Sequence, residues 1–233
     1  VQIIIENRYS LMNNERWNRL IQMMEMLPHE IIEANPILLS TQAFYHDYKA
    51  QMPECFMVLS KLEHLNANLS PKSPNYEIIQ AEYHTLKAEY YIIVSDPENA
   101  RISSEKALNI LPKEALYIKT FAMYWYVFSH QMTNNSVKGI ERVHKAFTNP
   151  DDFDFNAHSK LNLALCGSYL MDGNLELMKK SALLSLSLGK KNNFQESISL
   201  SYYYLICYYY QRNELIEARK YIKEINKNRS NTR

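Results

Sequence analysis

Residues Asp96 to Pro112, DPENARISSEKALNILP, decide how the rest of the chain is read. Asp96 is a helix-capping residue placed just before Pro97, whose fixed φ suits a first helical turn, and Pro112 stops the helix that follows. Between these signals, Ala100 and Ala107 lie two turns apart on one face, small enough to let a neighbouring helix approach closely. The segment reads as the second half of a helical hairpin with a turn at its front and a stop at its end. Other segments of the chain carry the same sequence of signals.

Composition favours that reading. Only 4 glycines and 8 prolines are present, too few for the tight turns of an all-β or βαβ chain, while 46% apolar residues allow a substantial core. A formal net charge of +1 supplies no sequence-wide basic field, so no direct nucleic-acid contact is expected. Cys55, Cys166 and Cys207 are odd in number and lie inside apolar helical patterns, which predicts buried free thiols and a reducing, cytoplasmic setting. No apolar run reaches about 18 residues, so no membrane span is expected. The opening VQIIIENRYS lacks a basic lead and a cleavage site, and it enters helix-like sequence directly, as a piece of a longer protein would.

Taken in order, apolar spacing predicts helices over residues 1–12, 15–27, 36–50, 53–65, 76–94, 97–111, 113–132, 136–147, 155–171, 175–190, 194–211 and 214–228. The stretch IIEANP reads as a short turn before Pro36, and residues 66–75, with Pro71 and Pro74, read as the clearest loop. Intra-hairpin turns fall near Asn13, Met52, Asp96, Asn134, Asp172 and Asn213, a period of roughly 38 to 45 residues that suits two-helix repeats. The expectation is an all-α, right-handed superhelical solenoid of about six antiparallel helix pairs, tetratricopeptide-like. It occupies residues 1–228 as one domain, with a polar tail over 229–233. Trp17, Ala100, Ala107, Pro112, Gly139, Ala146 and Ala218 take the repeat-packing positions.

The segment Trp17 to Leu39, WNRLIQMMEMLPHEIIEANPILL, adds a resemblance. A Trp-bearing helix ends in Leu27-Pro28, and Pro36 to Leu39 opens the next helix; with ARISSEKALNILP and RNELIEARKYI further on, this is similar to the helical-repeat region of the large ATP-dependent LuxR-type transcription activators. The resemblance covers nearly all of the chain. It implies a signal-sensing and self-association solenoid placed between a nucleotide-binding switch and a helix-turn-helix. The family usually has glycine at its first hairpin turns, where Asn14-Glu15 and Met52-Pro53 stand here. No Gly-x-x-x-x-Gly-Lys-Ser/Thr phosphate loop occurs in these residues.

Candidate chemistry is sparse. His29, His46, His64, His84, His130, His144 and His158 never pair at i, i+4, and HEIIE lacks the second histidine of a zinc-protease helix, so no metal site is expected. No serine stands in a Gly-x-Ser-x-Gly elbow, and Asp151, Asp152 and Asp154 read as a solvated, helix-capping loop more readily than as a cation site. No catalytic residue, enzyme activity or cofactor is therefore expected. Eighteen tyrosines exceed what packing demands. In stacked hairpins the first helix of each pair lines the concave side, which nominates Tyr83, Tyr90, Phe121, Tyr124, Phe128, Tyr203 and Tyr210 as groove residues for a small-molecule or peptide effector or a protein partner. On the last hairpin the register turns Tyr202, Leu205, Ile206 and Tyr209 inward and Tyr203 and Tyr210 to the groove. Lys179-Lys180, Lys190-Lys191 and Lys220, Lys223 and Lys227 suit a solvated helix face or a docking patch equally. The two functional expectations are a sensor domain of a LuxR-type regulator and a stand-alone scaffold that binds a peptide or protein segment.

Overall fold

Asn35, Asp96, Asp154 and Asn174 each turn a side-chain oxygen onto backbone N–H groups at the front of a helix, satisfying donors that the first turn leaves open. In the computed structural model, which describes residues 1–148 and 154–231, these caps start four of thirteen α-helices, and the described residues contain no strand. The helices are α1 (Gln2–Asn13), α2 (Trp17–Glu25), α3 (His29–Glu33), α4 (Pro36–Tyr48), α5 (Met52–Ala67), α6 (Tyr76–Ile93) and α7 (Pro97–Ile110). They continue with α8 (Leu116–Met132), α9 (Ser136–Phe147), α10 (Phe155–Met171), α11 (Leu175–Asn192), α12 (Gln195–Gln211) and α13 (Leu215–Asn231).

One backbone device ends the first helix of each hairpin. Glu15, Ala50, Ser95, Asn134, Gly173 and Asn213 all have positive φ, between 54° and 72°. The next N–H, that of Arg16, Gln51, Asp96, Asn135, Asn174 or Glu214, donates at 2.8 Å to the carbonyl five residues back, on Leu11, His46, Tyr91, His130, Tyr169 or Tyr209. This is the Schellman arrangement, and it satisfies carbonyls that the helix end would leave open. The residue that closes one helix is also the one that begins the next, so the chain reverses within about four residues. Successive turns lie about 40 residues apart, the interval expected of two-helix repeats. Five of the six left-handed positions hold a residue other than glycine.

The chain divides into two compact units, Val1–Ser129 and His130–Arg233, within the span read from sequence as one domain. In the first unit α1 packs on α2, α4 on α5 and α6 on α7, and α6 also meets α4 and α5. Trp17 is buried at the centre of its aromatic core, stacked on Tyr48 with centroids 5.2 Å apart and edge-on to Tyr117 at 5.0 Å; Phe44 meets Tyr117 and Phe121 edge-on. In the second unit α10, α11, α12 and α13 pack in succession. Small residues on α10 let α11 come close enough for the Ser159 and Ser185 hydroxyls to bond at 2.9 Å. A Cβ on Gly189 of α11 would meet Ile198 of α12 at 3.0 Å, so that crossing depends on the glycine.

Three features differ from the sequence reading. The IIEANP stretch contains a short helix, α3, entered through Pro28 with φ −55° and ψ 141°, values that end α2 and lead into a new first turn. Helix α13 runs on to Asn231 through residues taken as a polar tail. Most consequential, α1 is held to α4 and α6 by an ion pair that nothing in the local pattern announces. Arg8, 2% exposed, donates to both oxygens of Glu82, 0% exposed, at 2.8 and 2.5 Å. The Tyr9 hydroxyl donates to the same carboxylate at 2.6 Å, and so does the hydroxyl of Ser40. Burial and then the charge of Glu82 push the Tyr9 hydroxyl far above its ordinary value, so it remains a proton donor.

Two stability measurements follow from this packing. Arg8→Met leaves the Glu82 carboxylate buried without its counter-charge and should cost about 3–5 kcal/mol in urea unfolding, whereas the pair Arg8→Met with Glu82→Leu should recover most of that loss. Ala50→Gly relieves a left-handed alanine and should raise stability by about 1 kcal/mol, with the same fold by circular dichroism.

Candidate functional site

The residues nominated as groove lining fall into three separate groups. On α6, Tyr83 and Tyr90 flank Lys87 along the seam with α5. The Tyr83 hydroxyl donates to Glu63 at 2.7 Å, the Lys87 ammonium reaches the same carboxylate at 3.2 Å, and Lys87 also lies 4.9 Å from the centre of the Tyr90 ring. Tyr90 is edge-on to Phe56 at 5.4 Å, and both tyrosines pack against the core of the first unit. Burial and then Glu63 raise the Tyr83 hydroxyl above its ordinary value.

On α8, Phe121, Trp125, Phe128 and Tyr124 form a continuous ladder. Phe121 is edge-on to Trp125 at 5.4 Å, Tyr124 is edge-on to Trp125 at 5.0 Å, and Tyr124 stacks on Phe128 at 4.7 Å. Phe121 also packs against the core, while Tyr124 and Phe128 are half-buried. These rings satisfy one another in the edge-to-face and offset geometries that aromatic quadrupoles favour.

The third group is on α12. Tyr203 is 51% exposed and Tyr210 68% exposed; Leu200 is exposed on the same side, and Cys207, hydrogen-bonded to Tyr203, lies between them half-buried. Tyr202 and Leu205 are buried, and Ile206 and Tyr209 are half-buried, Tyr209 stacked on Tyr221 at 5.6 Å. Tyr204 and Tyr208 are buried too, which the sequence reading did not assign. Their burial follows from α12 lying against α10, α11 and α13, which gives it a wide covered arc.

Several basic residues of the second unit are engaged within it. Lys179 stands 4.5 Å from the Tyr208 ring centre, Lys190 is 5.5 Å from that of Tyr202, and Lys191 is 5.5 Å from that of Phe155. Lys220 pairs with Glu217 and Lys227 with Glu224. Glu176 accepts from the Tyr208 hydroxyl at 2.7 Å and pairs with Arg212 at 3.2 Å.

Of the packing residues, Trp17, Ala100, Ala107, Gly139 and Ala218 are buried, while Pro112 and Ala146 are half-buried. Leu111, the C-cap of α7, bonds back to Ala107 at 2.9 Å and Pro112 ends the helix, as its sequence position predicts. All three cysteines are free, with Cys55 and Cys166 buried; burial pushes both of those thiols up. Burial, and then Lys106 and Lys87, lowers His84 to about 4, which keeps it neutral. Asp154 caps α10, whereas Asp151 and Asp152 lie outside the described residues. Among the described residues no cluster of three His, Cys, Asp or Glu side chains is placed to hold a metal, and no helix is long and apolar enough to cross a membrane.

The class that fold and surface define is an all-helical chain of regularly spaced hairpins with an aromatic display on α12. In sequence it is similar to the HTH-type transcriptional regulator MalT of Yersinia enterocolitica, 28% identical over 120 residues, which is 52% of this chain and 13% of that protein. The chain therefore spans a small fraction of that relative's length. No family model and no solved structure matches it.

Tyr203→Ala and Tyr210→Ala should each change unfolding stability by no more than about 0.5 kcal/mol, because they remove exposed rings. Tyr202→Ala should cost about 3 kcal/mol or more, because it empties a buried site. Urea titration of the three variants measures the difference.

Proposed function

We propose that this chain is a right-handed solenoid of about six helix pairs and serves as the non-catalytic sensor and interaction region of a LuxR-type transcriptional regulator in the cytoplasm. The observation that carries this reading is the repeated turn, six times the same hydrogen bond at intervals of about 40 residues, in a chain similar to part of a transcriptional regulator. Repeats of that length stack on their neighbours and build a continuous binding surface. Tyr203 and Tyr210 supply that surface with exposed rings that stack on an amphiphilic effector or peptide and hydroxyls that hydrogen-bond to it. Binding there biases a neighbouring switch domain, and the same repeats provide self-association.

The parent reading frame tests the regulator assignment. A phosphate-loop ATPase upstream and a helix-turn-helix downstream support it, and the absence of both overturns it in favour of a stand-alone scaffold. Small-angle X-ray scattering of the isolated chain should give the elongated profile of a solenoid; the profile of a compact sphere would refute that architecture. A thermal-shift screen against sugars, nucleotides and short peptides should identify a stabilising effector whose shift is reduced at least tenfold in apparent affinity by Tyr203→Ala or Tyr210→Ala. An effector that binds both variants as tightly as the unaltered chain places the site elsewhere.

A further inference from the structure

Helix α11 packs between α10 and α12 and keeps its remaining side in solvent. That side is unusually apolar for a free face. Leu177, Leu183 and Leu184 are 40%, 42% and 51% exposed and Leu188 is half-buried; Leu177, Leu184 and Leu188 follow one another at the spacing of a single helical stripe. Exposed Lys180 lies on this stripe between Leu177 and Leu184, and exposed Lys191 lies one turn beyond Leu188. Among the described residues neither lysine has an ion-pair partner, in contrast to Lys160, Lys220 and Lys227. Lys191 stands over the ring of Phe155 at 5.5 Å, and Phe155 is itself 54% exposed, so the apolar stripe continues onto the start of α10. Glu176, beside Leu177, is turned to α12, where it accepts from Tyr208 and pairs with Arg212.

The charge around the stripe is of one sign. In residues 130–233 Lys and Arg outnumber Asp and Glu by 15 to 10, whereas in residues 1–129 they are outnumbered by 15 to 11, a difference hidden in the total of +1. We propose that the α11 stripe is a docking surface for an acidic amphipathic helix of a partner protein, whose apolar residues cover Leu177, Leu184 and Leu188 while its carboxylates meet Lys180 and Lys191. Leu177 to Leu188 extends over three turns, about 16 Å, which one short helix laid along it covers. The leucines supply area to remove from water, and the lysines steer the encounter and reject a basic partner. A lipid surface fits less well. Each exposed leucine already has about half of its surface covered by the fold, so it cannot sink about 5–10 Å into an acyl layer as a free amphipathic helix does. The stripe is on a different helix from Tyr203 and Tyr210, so it takes its partner independently of an effector on α12.

Fluorescence anisotropy of the whole 233-residue chain with a labelled helical peptide tests this. The peptide has about 18 residues, long enough to hold a helix, with leucine along one face and glutamate flanking it. It should bind, and binding should weaken at least about tenfold in Leu184→Asp, in Lys180→Glu combined with Lys191→Glu, and on raising salt from about 50 to about 500 mM. Tyr203→Ala should bind it as the unaltered chain does, which keeps the result separate from the effector site. No binding, no loss in the α11 variants, a loss in Tyr203→Ala, or equal binding of a peptide with lysine in place of glutamate overturns the proposal. Vesicles of phosphatidylcholine and phosphatidylserine that bind the chain through Leu184 when the acidic peptide does not would assign the stripe to a membrane surface. A dimer in sedimentation that Leu184→Asp dissociates and the peptide does not displace would assign it to a second copy; either result overturns the proposal. Where Leu184→Asp loses helix by circular dichroism, the paired lysine reversal, which removes no leucine, decides.

Discussion

The Arg8–Glu82 pair is the contact of the first unit that can least be broken on one side alone. Removing two charges from water is costly, and the cost is recovered only where geometry is close and the remaining lone pairs are filled. Here the carboxylate receives both arms of one guanidinium and two hydroxyls, contributed by α1, α4 and α6. A small displacement of any of these three helices leaves a charge bare. An apolar contact would tolerate sliding, but this one fixes the register of α1, α4 and α6.

The turns act at a different level. Each uses main-chain groups to close one helix and start another, so hairpin geometry depends little on which side chain is present. The pattern holds with Asn at two positions, Gly at one, and Glu, Ala and Ser at the others. Asn and Gly adopt the left-handed conformation readily, whereas Ala and Glu do so at a cost that the surrounding hydrogen bonds and helix packing must offset. The period of the chain is therefore set by backbone bonding and by the apolar stripes that follow it.

Sequence reading located the helices and the hairpin turns because helical periodicity, Pro36, Pro97 and Pro112, and the Asn and Asp caps are all local signals. It placed the second turn at Met52, two residues beyond the left-handed Ala50, because alanine carries no turn signal. It missed the Arg8–Glu82 pair because the partners are far apart in sequence and Glu82, within QAEYHTLKAEYY, has the appearance of a surface acid. On α12 the inward register of Tyr202 and Leu205 was legible, since the spacing alone orients them. The burial of Tyr204 and Tyr208 was not, because it depends on how many neighbours cover the helix. For the nominated residues on α6 and α8, sequence gave aromatic character, but it could not distinguish rings that pack on each other from rings left open to a ligand.

A hairpin closed by main-chain groups has a long-term consequence. Substitutions at the turns leave helix pairing nearly unchanged, so hairpins can diverge in sequence while each keeps its geometry. Each hairpin is then free to acquire its own internal chemistry, such as the paired serines of α10 and α11. Kinship between such units would persist in their spacing long after it had faded from their residues.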